Sequence, residues 1–354
     1  MLQVISEAER QRSTACFVRA AVTRAAVAAA LWAAFAPPPA ALAACRGRDL
    51  FPILKTLSPL AFARMAAEVE ATPFAEGRLF RLTGAGGESS YLFGSLHLAD
   101  PRATNFSPAL REALARSDTI VLEMAETAAD LDRIVKDDPA RMRATLVAEK
   151  DRRAERLLSR DELGRLEALL RNRRVGALPL LDLKAPALAL LLDLPPCADA
   201  AADRQTSADA LLAEAGRRNG AAVVGLETFF EQIDSLDGLT RAEERDLLAA
   251  TLKQADQAED AVETTLQRYS EKNLGWLLAW MRSADPLPFV AGAQVPAPFL
   301  DRLITRRNYR MRDRALPIVA RGGAFIAVGA AHLPGTEGLL SLFRQAGYEI
   351  ERIE

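Results

Sequence analysis

The sequence predicts an α/β fold, bordering on α+β, with a central sheet surrounded by many helices. Three observations point there. Two apolar stretches, Tyr91-Leu-Phe-Gly-Ser-Leu-His97-Leu and Phe325-Ile-Ala-Val-Gly-Ala-Ala-His332-Leu, read as strands that run into the same Gly-x-x-His-Leu frame. Two more apolar strands, Thr119 to Met124 and Ala221 to Glu227, carry a carboxylate near their ends, Glu123 and Glu227. Between these strands lie charged segments with leucine, isoleucine and methionine at three- and four-residue spacing, the pattern of amphipathic helices. The order strand, Gly-x-x-His-Leu, polar loop, helix, strand occurs twice. We therefore expect a sheet built from two similar units that meet at a shared site.

Taken in order, the chain opens on a leader. Arg10, Arg12, Arg19 and Arg24 precede the apolar run Ala25 to Ala36, and Ala41-Leu-Ala43 offers a small-x-small cleavage site. Residues 1–43 read as a secretory signal peptide, and residues 44–354 as a single domain with a helical insertion at about 127–220. An apolar run of about a dozen residues is too short for a stable transmembrane anchor. The expected location is periplasmic or secreted. Leu42-Ala-Ala-Cys45 also fits a lipoprotein box, so anchoring at a lipidated Cys45 stays open. Cys16 leaves with the leader, and Cys45 and Cys197 remain as a candidate disulfide in an oxidising compartment.

Leu50 to Glu70 reads as a helix. Arg78 to Thr83 and Ser90 to Gly94 flank Gly84-Ala-Gly-Gly87 as a hairpin whose second strand delivers His97. Ser107-Pro108 is a helix start, with a capping serine and proline in the first turn. Residues 127 to 175 are helical. Leu178 to Leu194 is strongly apolar but broken by Asp182, Lys184 and Pro186, as for helices lining a cleft. Ser207 to Asn219 is an amphipathic helix closed by Gly220. A long helical region runs from Thr240 to about Arg282, and another helix from Pro298 to Arg321. Gly322-Gly323 releases the chain into the second histidine strand, Thr336 is placed to cap the next helix, and Tyr348 to Ile353 forms a last strand.

Half of the 354 residues are hydrophobic and the formal charge is only −2, which describes a globular protein with a sizeable core. Basic residues are interspersed with acids, so no nucleic-acid surface is expected. There is no Gly-x-Ser-x-Gly elbow, Walker loop, His-Glu-x-x-His or Cys-x-x-Cys. Gly84 to Gly87 opens no helix and is no dinucleotide loop.

His97 and His332 are the only two histidines in the chain. Their common frame points to one site, as metal ligands or as an acid/base pair. Two imidazoles alone make a poor metal site, so carboxylates or water must complete it. Glu123 and Glu227 are the best candidates, because an unpaired charge in an apolar strand costs several kcal/mol and calls for a cation. Gln232 is a further candidate through its amide. The arginines from Arg306 to Arg314 read as a solvated helical face, with the alternative that one of them reaches inward to a substrate carboxylate or a buried glutamate. Ser95 next to His97 suggests a contact residue; as a nucleophile it is disfavoured, since the echo has Ala330 there.

Phe93-Gly-Ser-Leu-His97-Leu, Val121-Leu-Glu123, Gly225-Leu-Glu227-Thr with Glu231-Gln232, Arg307-Asn308, and Val328-Gly-Ala-Ala-His332-Leu-Pro-Gly together resemble the TraB/GumN family, which includes the animal Tiki proteins. The resemblance runs in order from about Cys45 to the end. It implies an architecture related to the erythromycin-esterase and ChaN-like group, with the paired Gly-x-x-His motifs and a glutamate forming the site. Tiki members are metal-dependent peptidases. Bacterial relatives are tied to control of a peptide pheromone or to a polysaccharide gene cluster. By resemblance, His97, His332 and Glu123 hold a divalent ion, with manganese, cobalt, iron and zinc undistinguished. Glu123 serves as ligand or general base, Glu227 and Gln232 support it, and Arg307 and Asn308 orient substrate or ligands. Arg307 is also placed to stabilise an oxyanion. The expected function is that of an exported metal-dependent hydrolase acting on an amide bond of a peptide or protein substrate. The alternatives are an exported protein that binds a peptide or other ligand without catalysis, and a scaffold for envelope polysaccharide export.

Overall fold

A computed structural model describes residues 45–171, 179–193, 195, 197, 207–282 and 297–354. The leader at residues 1–43 and the prolines expected to close the long helical region lie outside the described residues. Six strands form one sheet: β1 (Leu79–Thr83), β2 (Ser89–Ser95), β3 (Thr119–Leu122), β4 (Ala222–Gly225), β5 (Ala324–Gly329) and β6 (Glu349–Arg352). Their spatial order is β4-β3-β5-β2-β1-β6. The fold is α/β, as expected, with helices around a mixed sheet.

Strands β4, β3, β5 and β2 are mutually parallel, while β1 pairs antiparallel with both β2 and β6. The two histidine strands are neighbours in register, Gly94 opposite Val328 and Ser95 opposite Gly329. Ala324 to Val328 is buried throughout, which is why this stretch lacks the alternation of a half-exposed strand. Edge strands β4 and β6 are largely accessible. The hairpin joining β1 to β2 turns at Gly87 with φ +87°, a value glycine adopts without penalty.

The chain leaves β2 toward β3 on one side and leaves β5 toward β6 on the other. Helices sort accordingly: Pro108–Ala115 packs with Ala208–Arg218, and Arg306–Val319 packs with Leu339–Gln345. Two adjacent parallel strands whose connections part in this way open a crevice at their carboxyl ends. Both Gly-x-x-His frames end there.

Several expected elements are subdivided. The stretch from Leu50 is two helices, Phe51–Leu57 and Pro59–Ala71, because Pro59 cannot continue the hydrogen-bond ladder of the first. The region after Thr240 is three helices, Arg241–Gln254, Ala258–Ser270 and Leu274–Arg282. Ahead of Arg306–Val319 lies a π-helical turn, Asp301–Thr305. Thr336 does not cap the helix that follows; Gly338 occupies that position, without a side-chain bond. Ser107 and Ser207 cap as expected, through Leu110 N–H and Ala210 N–H.

The main core clusters on both faces of the sheet. A second cluster joins Ala154, Leu157, Leu166, Leu188, Leu192, Leu248 and Leu252, all of them on helices. Cys45 and Cys197 form a disulfide with Cα atoms 5.3 Å apart. No described helix is long and apolar enough to cross a membrane.

Candidate functional site

Four parallel strands each deliver an ionisable residue at the same end of the sheet. His97 follows β2 by two residues, Glu123 follows β3 directly, Glu227 follows β4 by two, and His332 follows β5 by three. Across the sheet their order is Glu227, Glu123, His332, His97, set by the strand order. Backbone pairing continues past β3 and β4, where Glu227 N–H donates to the Glu123 carbonyl at 2.7 Å, holding the two glutamates in step.

Gly329 is the point about which the site closes. A Cβ at this position would lie 3.1 Å from Glu123 Oε1, 3.4 Å from His332 Cδ2 and 3.6 Å from His97 Nε2. Its φ of −52° suits any residue, so close approach and not backbone conformation calls for glycine here. Gly329 N–H donates to Glu123 Oε1 at 2.5 Å, and His332 Nε2 stands 3.6 Å from the same oxygen.

Each imidazole is oriented through its Nδ1. Asn308 Nδ2 donates to the Glu337 carbonyl, so Asn308 Oδ1 accepts from His332 Nδ1, at 2.6 Å. His332 Nε2 then presents a lone pair toward a carboxylate oxygen. Two electron-rich atoms face each other, which favours a cation between them. Burial pushes His332 down to about 4, so the ring is neutral at ordinary pH, with Glu123 opposing the shift and Arg307 adding to it. His97 is oriented by Asp209, whose Oδ2 meets Nδ1 at 2.5 Å while Oδ1 accepts from Ser95 Oγ at 2.7 Å. The Asp209 carboxylate raises His97 to about 9.

Glu123 and Glu227 share Arg307, whose side chain is 11 % exposed. Arg307 Nη2 pairs with Glu123 Oε2 and lies 2.7 Å from Glu227 Oε2, and its Nε donates to Glu227 Oε2 at 2.9 Å. Arg310, one helical turn on, donates to Glu227 Oε1 through Nε at 2.9 Å. Gln232 Nε2 donates to Glu123 Oε2 at 3.4 Å. Burial by itself would raise the Glu123 carboxyl. His332, Arg307, His97 and the Gly329 N–H outweigh it and hold Glu123 well below the usual carboxylate range.

The cluster opens on a cavity of about 490 Å³. Ser95, His97, Glu123, Arg307, Gly329 and His332 line its polar end, while Leu277, Trp280, Phe299, Leu303 and Ile304 are among its apolar walls. The volume suits an organic ligand or a few residues of a peptide.

The sequence-level candidates His97, His332, Glu123, Glu227, Gln232, Arg307, Asn308 and Ser95 are thus gathered at one place. Asp209 was missed. In sequence it reads as a first-turn acid on an amphipathic helix, a common favourable placement, and it stands 112 residues from His97. The fold alone reveals its role.

Among the described residues no three His, Cys, Asp or Glu side chains form a ready-made metal cage. The donor set nonetheless fits a divalent cation. Both Nδ1 atoms are engaged by oxygen acceptors, so that once an incoming ion displaced the His97 Nε2 proton both Nε2 atoms would be free to bind it, with Glu123 Oε1 beside them. Water would complete such a set.

An open, largely parallel sheet with ionisable groups at its carboxyl ends and a cavity beside them defines an α/β protein with a crevice at a topological switch point. The TraB/PrgY/gumN family model matches residues 79–352, and the chain belongs to that family. No curated protein and no solved structure matches the chain significantly.

Proposed function

We propose that this protein is an exported metal-dependent hydrolase that cleaves an amide bond of a peptide or protein, with His97, His332 and Glu123 holding a divalent ion. The observation that carries the reading is the convergence of two imidazole Nε2 atoms and one carboxylate oxygen over Gly329, at the polar end of an apolar cavity. A bound divalent ion supplies an acidified water and a charge that polarises a carbonyl. The chain supplies the rest. Asn308 and Asp209 hold the histidine tautomers. Arg307 keeps Glu123 ionised and aimed at the position the ion would take. The apolar walls bind substrate side chains and exclude water, which strengthens every charge interaction at the polar end.

Export is part of the proposal. The basic leader supports it, and the Cys45–Cys197 disulfide is compatible with an oxidising compartment. With its sulfur in that bond, Cys45 has no thiol for a lipid, so the soluble form is the one proposed.

Metal analysis of the purified protein, followed by a peptide-library cleavage assay, tests the function. Wild type is expected to carry a divalent ion and to cleave. His97→Ala and His332→Ala should each lose both while keeping a native circular dichroism spectrum. Full metal uptake by both variants would overturn the metal site. A second reading, ligand binding without catalysis, is favoured by the mostly apolar walls. A metal-free protein that retains an uncleaved peptide would establish it instead.

A further inference from the structure

The two imidazoles are fixed by different means, and the difference accounts for one residue of the first Gly-x-x-His frame. The His332 ring is buried, so packing helps to hold it, whereas the His97 side chain is largely exposed and depends on hydrogen bonding for its orientation. The group that orients each ring must itself be pinned. Asn308 manages this alone, because a carboxamide carries donors as well as an acceptor: its Nδ2 donates to the Glu337 carbonyl at 2.8 Å, which aims Oδ1 at His332 Nδ1. The Asp209 carboxylate has acceptors only. It can turn about its terminal bond and is set only when both of its oxygens meet fixed donors.

Ser95 supplies the second donor. Its hydroxyl donates to Asp209 Oδ1 at 2.7 Å while His97 Nδ1 donates to Oδ2, so one carboxylate bridges the last residue of β2 and the histidine just beyond it. Ser95 is fully buried. Its partner is a carboxylate and not an imidazole Nε2, so it is not set up as a nucleophile. In the second frame the matching position is Ala330, also buried, where Asn308 needs no help. The serine stands in the frame whose orienting residue is an acid, and the alanine in the frame whose orienting residue is an amide.

We propose that Ser95 is a positioning residue for His97: its hydroxyl fixes the Asp209 carboxylate, and the carboxylate holds the imidazole with Nε2 over Gly329. The inference rests on reading His97 as a site residue, but not on hydrolysis or metal, so it and the proposed function fail separately.

NMR of the full chain with isotope-labelled histidine provides the test, because the chain holds only two imidazoles and His97→Ala assigns their signals. Wild type should show a His97 Nδ1–H signal protected from solvent exchange. Ser95→Ala should lose that signal and leave the one from His332 unchanged. Alanine already occupies the matching position of the second frame, so thermal unfolding should show Ser95→Ala folded. Cobalt(II) alone serves as the metal probe. Ser95→Ala should bind it about tenfold more weakly than wild type, and in an Asp209→Ala background the same change should cost nothing further, since Ser95 acts through Asp209. A His97 signal that is missing from wild type, or equally protected in Ser95→Ala, would overturn the proposal. So would an equal loss of cobalt affinity in both backgrounds. A wild type that binds no cobalt, with the His97 signal still lost in Ser95→Ala, would remove the metal and leave Ser95 in its role.

Discussion

The Glu227 side chain is fully buried between two arginines, and Glu231 sits four residues further along on the surface with one. The difference in burial sets very different consequences. Glu227→Gln leaves Arg307 and Arg310 short of a buried counter-charge and should destabilise by about 3–5 kcal/mol, read as a lower urea midpoint. Glu231→Gln breaks a partly exposed pair with Arg314 and should cost about 1 kcal/mol or less. Its signature is in pH dependence. Hydrogen bonding from Arg314 first, and from Thr228 at the helix cap, lowers Glu231 from 4.5 to about 2. A carboxyl with a depressed folded-state pKa stabilises the fold above its unfolded value and loses that contribution as pH falls through the folded one. Between pH 4.5 and about 2, the unfolding midpoint should therefore fall more gently in Glu231→Gln than in wild type; parallel curves would remove Glu231 from the account. Asp209 orients His97 and accepts from Ser95, and it belongs to this scale too. Asp209→Asn should weaken metal binding about 10- to 100-fold with little change in stability, as a competition titration with a chelator would measure.

At the scale of elements, the two Gly-x-x-His frames look alike in sequence and differ in structure. His97 lies beyond β2 and opens to the cavity, its side chain 60 % exposed, whereas His332 closes a 3-10 turn and is 4 % exposed. The glycines differ as well. A Cβ at Gly94 would lie 3.1 Å from Ala330 Cα, 3.1 Å from Leu333 Cδ2 and 3.2 Å from Leu274 Cδ1, all core atoms. Gly94→Ala should overpack that core by about 1–3 kcal/mol, visible as a lower melting temperature. Gly329→Ala intrudes on Glu123 and both histidines instead, so it should lose metal and turnover while melting near the wild-type temperature. Helix starts such as Ser107-Pro108 and Ser207 were legible because capping is a local event. Thr336 misled for the complementary reason: whether a threonine caps depends on where the loop Pro334 to Glu337 runs, and that loop is held by Asn308.

At the scale of the molecule, the disulfide joins residues separated by 152 positions and ties the start of the described chain to Cys197, just past the helix Ala185–Asp193. Opening it should destabilise by about 4–5 kcal/mol in the chain-entropy model, so unfolding with and without reductant should differ by several degrees or more; coincident curves would show the bond absent in solution. By itself, the sequence determined the strands, most helices and the ionisable residues at the strand ends. Apolar runs, caps and two lone histidines are signals carried within a few residues. Only the tertiary structure decided the partners. The non-sequential strand order sets Glu123 between Glu227 and His332, brings Arg307 from 184 and 80 residues away onto Glu123 and Glu227, and lays Asp209 against His97. Those pairings arise from connections that cross the sheet in opposite directions, and no short window of sequence contains that geometry.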